Sequence, residues 1–250
     1  MYGFGFRMPP GGAIGAKGAW NPGVEDGLIG AFLCAQSGMS PAANRAKGAS
    51  GGSYVGSPAE DEDGLIVNAA AHINTGLTDP AEGAYTWVGR NLDTLASSAT
   101  EPTLMGNYVA GEGGSGASLF MDGPSTMNAT IRILTAGVGG ALQPNLTGVN
   151  LNEWACYMLI FGVAGAQIFD LSHNRAGSFV SSPPGTTARV LGSGPVKIGY
   201  GGPGGNHAGT SKVLAGLIHG MIPNPTQRAI IYRRQKIVAA RRGIDVSGWV

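Results

Sequence analysis

Four adjacent carboxylates, Glu60-Asp61-Glu62-Asp63, form the densest cluster of chemically capable side chains in the chain. Paired carboxylates can cleave a glycosidic bond, one as acid and one as nucleophile, when held a few Å apart across a sugar. A run of carboxylate oxygens can also ligate calcium. The surroundings favour neither. The run follows Ser57-Pro58 and precedes the apolar segment GLIVN, so it reads as a loop, and no second acidic cluster stands opposite it. The ordered D-x-D-x-D-G spacing of a calcium loop is missing. A solvated loop is the expectation, with a calcium ion at Glu60–Asp63 as the open alternative.

The remaining motifs are weaker. GEGGSG (residues 111–116) matches G-x-G-x-x-G, but ASLFM, a strand pattern, follows it, so no helix N-terminus is there to receive phosphate. GNHAGTSK (205–212) has its lysine in the wrong place for a phosphate loop. No G-x-S-x-G elbow occurs. His72, His173, His207 and His219 stand singly, with no i,i+4 pair and no cysteine nearby. The expectation is a protein without catalytic residues, metal ligands or cofactor. Asn128-Ala129-Thr130 and Asn145-Leu146-Thr147 fit the glycosylation pattern. No secretory leader is expected from MYGFGFRMPPGG, which has neither a cationic start nor an apolar stretch, so both matches read as chance.

Sixteen Lys+Arg stand against fifteen Asp+Glu among 250 residues, so no overall field points to nucleic acid or membrane. Charged residues make up 12%, and glycine reaches 44 copies, often in runs that separate short apolar segments. Glycine-rich disorder is a poor alternative, because 43% of residues are hydrophobic and can build a core. Cys34 and Cys156 lie among apolar neighbours and read as buried free thiols, with a disulfide as the alternative.

These side chains need elements to hold them. Residues 1–23 show no lasting period yet carry Tyr2, Phe4, Phe6 and Trp20. They read as an extended arm whose aromatics dock onto a neighbouring subunit or the chain's own domain, residues 24–250. Strand patterns then fall at 27–35, 64–68, 71–75, 85–92, 103–108, 117–121 and 129–134, and again at 154–161, 166–171, 196–199 and 213–220. Many short strands between turn signals predict an all-β sandwich or jelly roll. One helix is predicted over 226–242. Asn224 would cap it, Pro225 would open it, Gln227 would complete a capping box, and Gly243 would end it. Ile230, Ile231, Ile237 and Val238 share one arc of that helix, with Arg234 and Arg241 inside the same arc.

Between Trp154 and Ala166 there is no charge. The run is too short for the ~20 residues of a membrane helix. Gly162 and Gly165 suit a turn between two strands better than a helix interior. Both alternating sets of the first strand are apolar, which predicts a central strand covered on both faces, with Trp154 and Phe169 as core anchors.

At this point the sequence resembles a known family. NEWACYMLIFGVAGAQIFDL is similar to the central hairpin of concanavalin A-like, laminin-G-like domains. AHINTGLTDPAEGAYTWVGRNLD is similar to an earlier strand–loop–strand of that family. VKIGYGGPGG followed by VLAGLIHGMIPNPTQRAIIYRRQKIVAARRGIDV resembles its ending, and the RRGI tail is similar to that of phage and bacterial members. The resemblance runs from about Asp26 to Val246. It implies a concanavalin A-like jelly roll of two antiparallel sheets with one short C-terminal helix.

Members of such a family bind carbohydrate or protein, hydrolyse glycans, or act as structural modules, so the fold leaves function open. The E-x-D-x-x-E strand of the glycan hydrolases is absent. Carbohydrate binding would use an exposed aromatic beside Asn, Asp and backbone groups. Trp87, Tyr108, Tyr200 and Asn206 are the ligand-binding candidates this suggests, although Trp87 and Tyr108 also occupy strand positions where a core role is equally natural. The basic residues of the helix, Arg228, Arg233, Arg234, Lys236, Arg241 and Arg242, read as a solvated face or an inter-subunit contact, and no nucleic acid is expected. The expected function is a non-enzymatic structural virion protein of a tailed bacteriophage, in capsid decoration or the tail, with cell-surface glycans as a candidate partner. Its other partners would be virion proteins or further copies of itself, engaged through the arm in a homo-oligomer. The alternative is a bacterial carbohydrate-binding module or glycan hydrolase of the same fold.

Overall fold

A computed structural model describes residues 24–34, 39–110, 114–200 and 207–250. The proposed docking residues Tyr2, Phe4, Phe6 and Trp20 lie outside the described residues. Among the described residues, two antiparallel sheets stack face to face.

The back sheet runs in the order β14 (Arg175–Ala176), β13 (Gly165–Asp170), β12 (Ala155–Gly162), β6 (Gly83–Asn91), β18 (Ser211–His219), β4 (Leu65–Val67) and β3 (Ala59–Glu60). Two further strands join it, β1 (Leu28–Leu33) beside β18 and β15 (Val180–Ser181) beside β13. The front sheet runs β10 (Val138–Leu142), β9 (Thr126–Thr135), β8 (Ala117–Met121), β7 (Thr103–Gly106), β17 (Lys197–Ile198), β5 (His72–Asn74) and β2 (Ser53–Val55). Here β11 (Asn145–Thr147) and β16 (Thr186–Arg189) both pair with β9. The jelly-roll expectation holds, and each of the eleven strand patterns became a strand. Seven strands carried too little pattern to be seen: β2, β3, β10, β11, β14, β15 and β16. They are two to five residues long and mostly exposed, so no apolar alternation marks them.

The uncharged stretch forms the β12–β13 hairpin, with Gly162 paired to Gly165 across the turn. Its two faces serve two cores. Tyr157, Leu159 and Phe161 meet Tyr85, Trp87, Leu119, Met121, Met127 and Ile131 between the sheets. Cys156, Met158 and Ile160 face the other way, beneath α1 (Pro225–Arg241) and the C-terminal tail. Cutting a filled site such as Leu159 to alanine would cost about 2–5 kcal/mol. Trp154 and Phe169 are not core anchors. Trp154 sits ahead of β12, half-buried, with Arg90 5.7 Å from its ring. Phe169 turns toward the helix, where the Arg228 guanidinium lies 4.5 Å from its ring centroid. Cys34 packs between the sheets and Cys156 on the helix side; both are free, and burial pushes both thiols well up.

The helix begins as its sequence dictates. Gln227 donates its N–H to Asn224 Oδ1 at 3.0 Å, and Gln227 Oε1 accepts from the Asn224 N–H at 2.8 Å. Gly243 leaves it with φ +75°, a conformation that suits glycine. Its buried stripe is Ile231, Gln235 and Ala239, at i, i+4 and i+8. Ile237, Arg234 and Arg241 are exposed, so the expected arc is rotated. Branched apolar residues pointed to the wrong side because the inward positions hold a glutamine and an alanine. Beyond the helix the tail turns back: Tyr232 stacks on Trp249 at 6.1 Å, and Trp249 Nε1 donates to the Trp154 carbonyl at 3.1 Å.

Candidate functional site

The outward face of the front sheet is set by alternation. Ala117, Leu119 and Met121 of β8 and Met127, Ala129 and Ile131 of β9 fill the core, so Phe120, Asn128 and Thr130 point away from it. Phe120 pairs with Asn128, and Asn128 pairs with Asn145 of β11. These three side chains therefore form one row across three strands, about 10 Å long at the usual strand spacing.

Loops raise walls round this row and enclose a groove of about 550 Å³. Glu101, from the β6–β7 connection, is 6% exposed; its Oε1 accepts the Gly123 N–H at 2.8 Å and its Oε2 lies 3.2 Å from His207 Nδ1. His207 lays its ring on Phe120, centroid to centroid 4.3 Å. Its backbone sits at φ +60°, held by a bond from its N–H to the Ser98 carbonyl and by the Thr103 N–H and hydroxyl on its own carbonyl. A left-handed non-glycine residue costs about 1 kcal/mol or more, and such strain often marks functional sites. Burial lowers the His207 pKa and the carboxylates of Glu101 and Asp122 offset this in part, so the ring is mainly neutral at pH 7.

On the opposite side Asp122 is exposed and Asn128 Nδ2 donates to its Oδ2 at 2.5 Å. Tyr108, half-buried at the rim, has the Arg132 guanidinium 6.0 Å from its ring. The neighbouring Asn107 fixes that segment: its Nδ2 donates to the Gly194 carbonyl and its Oδ1 accepts the Ala117 N–H. A Cβ at Gly192 would lie 2.2 Å from Asn107 Nδ2, so any larger residue there would displace that carboxamide. Carboxylates, carboxamides, a phenol and an imidazole thus converge on one hollow. That set offers donors and acceptors for hydroxyl groups, beside ring faces for C–H contacts.

Of the three described ligand-binding candidates, Tyr108 alone is placed in this groove. Trp87 is fully buried between the sheets, stacked on Tyr157 at 6.3 Å, and cannot reach a ligand. Tyr200 stands elsewhere on the front sheet, beside His72 at 5.3 Å and Lys197 at 5.1 Å. Asn206 lies outside the described residues. Phe120, His207, Glu101, Asp122, Asn128 and Asn145 were not singled out as ligand-binding residues from sequence. A usable signal for Phe120 was the alternation of ASLFM, whose large aromatic stands off the apolar set.

The Glu60–Asp63 run is the turn of the β3–β4 hairpin. Asp61 Oδ1 accepts the Asp63 and Gly64 N–H groups at 3.0 and 3.1 Å, and Lys212 Nζ donates to its Oδ2 at 2.5 Å. Lys212 thus neutralises Asp61, the carboxylate that caps the turn. Among the described residues no group of three or more His, Cys, Asp or Glu side chains gathers to hold a metal, and no helix is long and apolar enough to cross a membrane.

No protein-family model and no curated protein matches the sequence. Solved structures do. A Trypanosoma rangeli sialidase mutant displaying trans-sialidase activity superposes with a TM-score of 0.59 at 14% identity, over 85% of this chain and 33% of that one. The same organism's sialidase in complex with sialic acid gives 0.56 at 12%, again over 85% and 33%. The botulinum neurotoxin serotype G binding domain gives 0.55 at 13%, over 84% of this chain and 51% of that chain. The chain therefore spans about a third of the sialidases and half of the neurotoxin domain. At these identities the likeness concerns fold alone, and the fold is the concanavalin A-like jelly-roll sandwich.

Proposed function

We propose that this chain is a non-enzymatic, lectin-like structural module that takes carbohydrate in the groove of Tyr108, Asn128 and Asn145. The observation that carries this reading is the row Phe120–Asn128–Asn145, walled by Glu101, Asp122 and His207. It is a shallow polar hollow with ring faces, suited to hydroxyl-rich ligands. The carboxylates of Glu101 and Asp122 already accept hydrogen bonds from Gly123 and Asn128, which supports a role in holding rather than in proton transfer. Likeness in fold to a sialidase observed with sialic acid and to a neurotoxin binding domain agrees with this reading.

The wider setting we propose is the particle of a tailed phage, where the module decorates the capsid or belongs to the tail and meets host-surface glycans. Its support is the sequence resemblance of the ending RRGI and the aromatic residues Tyr2, Phe4, Phe6 and Trp20, proposed to dock on other virion proteins or further copies in a homo-oligomer. A glycan array tests the binding: at least one glycan is retained by the native chain and lost by Tyr108→Ala. Retention of nothing by the native protein would overturn the carbohydrate role. Release of reducing ends from a bound glycan would overturn the non-enzymatic one. Mass spectrometry of purified particles tests the setting, and incorporation of a chain lacking residues 1–23 tests the arm.

A further inference from the structure

The groove does not end at Asn145. That residue also lines a cleft of about 390 Å³ with Thr147, Arg175 and Ala176. Arg175 and Ala176 in turn line a cavity of about 560 Å³ against the first turns of α1. Each hollow shares lining residues with the next, so the three adjoin in order from Tyr108 and Glu101, past the edge formed by β11 and β14, to the helix.

Their chemistry changes along the way. The first stretch offers carboxylates and carboxamides. The last is lined by three guanidinium groups, Arg175, Arg228 and Arg233. Arg233 is exposed and has no partner among the described residues. Arg228 is half-buried, donating one N–H to the Pro223 carbonyl at 2.9 Å with its plane over Phe169. Arg175 donates to the carbonyls of Thr147 and Gly148, both at 2.6 Å, which fixes it at the join between the cleft and the cavity. The carboxylate lining the cavity, Asp170, is 1% exposed and committed to His173 and the Ser172 N–H. The Tyr232 hydroxyl is buried there without a hydrogen-bond partner among the described residues. With a net charge of +1 the chain has no general attraction for anions, so this positive end is a local feature.

We infer that the three adjoining hollows bind an extended acidic polysaccharide, with hydroxyl-rich units in the groove and the carboxylate of a uronic-acid unit at Arg228 and Arg233. The inference rests on the carbohydrate reading of the groove and adds the class of glycan. Guanidinium groups pair with carboxylates through two parallel hydrogen bonds and are weakly hydrated, so a cavity lined by half-buried Arg228 and exposed Arg233 favours a carboxylate over a hydroxyl.

The test uses the full chain against polygalacturonate, alginate and hyaluronate, each beside its carboxyl-reduced counterpart, by calorimetry at low and moderate salt. At least one acidic polymer is expected to bind about tenfold or more tightly than its reduced form, with a preference that shrinks as salt screens the pair. R228Q/R233Q is expected to abolish that preference, so that acidic and reduced polymers bind the variant alike; Tyr108→Ala weakens both polymers. Equal affinity for acidic and reduced polymers, or an undiminished preference in R228Q/R233Q, overturns this inference and leaves the groove reading standing. Binding of no polymer of either kind, or indifference of both to Tyr108→Ala, overturns the groove reading and this inference with it. Circular dichroism confirms that each variant is folded.

Discussion

Arg189 grips Asp79 inside the sandwich through both carboxylate oxygens, Nη1 to Oδ1 at 3.2 Å and Nη2 to Oδ2 at 3.0 Å, with both side chains fully buried. Tyr85 donates its hydroxyl to the same Oδ1 at 3.0 Å, the Gly192 N–H donates to Oδ2 at 3.1 Å, and the Phe161 ring centroid lies 4.5 Å from the guanidinium. One ion pair therefore ties the end of β16 in the front sheet to the β5–β6 connection and to the back-sheet aromatics.

Removing one member of this pair should cost far more than removing both. Arg189→Ala leaves a buried carboxylate without its cation and should destabilise the chain by about 3–5 kcal/mol, whereas a well-packed apolar replacement of both partners can approach neutrality. Urea unfolding of R189A, D79L and R189M/D79L measures the difference. A loss below about 1 kcal/mol in R189A would show that the pair is not what holds β16 in place.

Gln235 is the converse case. It is fully buried on the inward stripe of α1, and neither atom of its carboxamide has a hydrogen-bond partner among the described residues. A buried polar group left unsatisfied costs about 1–3 kcal/mol. Gln235→Met keeps the length and removes the polar atoms, so it should raise stability by about 1 kcal/mol or more in the same urea assay. A destabilised Q235M would mean that the carboxamide has a role the contacts do not show.

This glutamine also shows why sequence reached some features and missed others. β12 was legible because both of its alternating sets are apolar, the pattern that burial on both faces favours. The helix ends were legible because Asn224, Gln227 and Gly243 act locally, within one turn. The inward face of α1 was not, because Gln235 and Ala239 are buried by what covers them and not by their type. Trp87 and Tyr108 show the same limit at the site. Each is an aromatic near a strand, and only the second sheet decides which one is covered. His207 carried no signal, since the value of its ring lies in Phe120 and Glu101, which are distant in sequence.

Burial sets a pH dependence. His219 is fully buried and its pKa is lowered to about 4, chiefly by desolvation, with the Val24 backbone offsetting this in part. His72 and His207 are also lowered, by burial first. A lowered folded-state value means that between about pH 6.5 and 4 the unfolded chain takes up a proton that the folded chain refuses. The stability these groups contribute is fully present above the unfolded value and is lost as pH falls toward the folded one, by about 3 kcal/mol for His219 alone. The urea midpoint should therefore fall between pH 6.5 and 4, and His219→Leu should flatten that fall. An equal slope in H219L would assign the acid sensitivity to other groups.

His207 permits the ring and the backbone to be tested separately. Its φ of +60° suits glycine and strains alanine, while its ring covers Phe120 and reaches Glu101. His207→Gly relieves the backbone and removes the ring; His207→Ala removes the ring and keeps the strain. H207G should therefore be more stable than H207A by about 1 kcal/mol, although both lose the same contacts in the groove. Glycan affinity should fall alike in the two, because the lost imidazole is the groove's link between Glu101 and the Phe120 face. If H207G retained native affinity while H207A lost it, binding would depend on the backbone turn that shapes the groove wall, and the imidazole would have no part in holding the ligand.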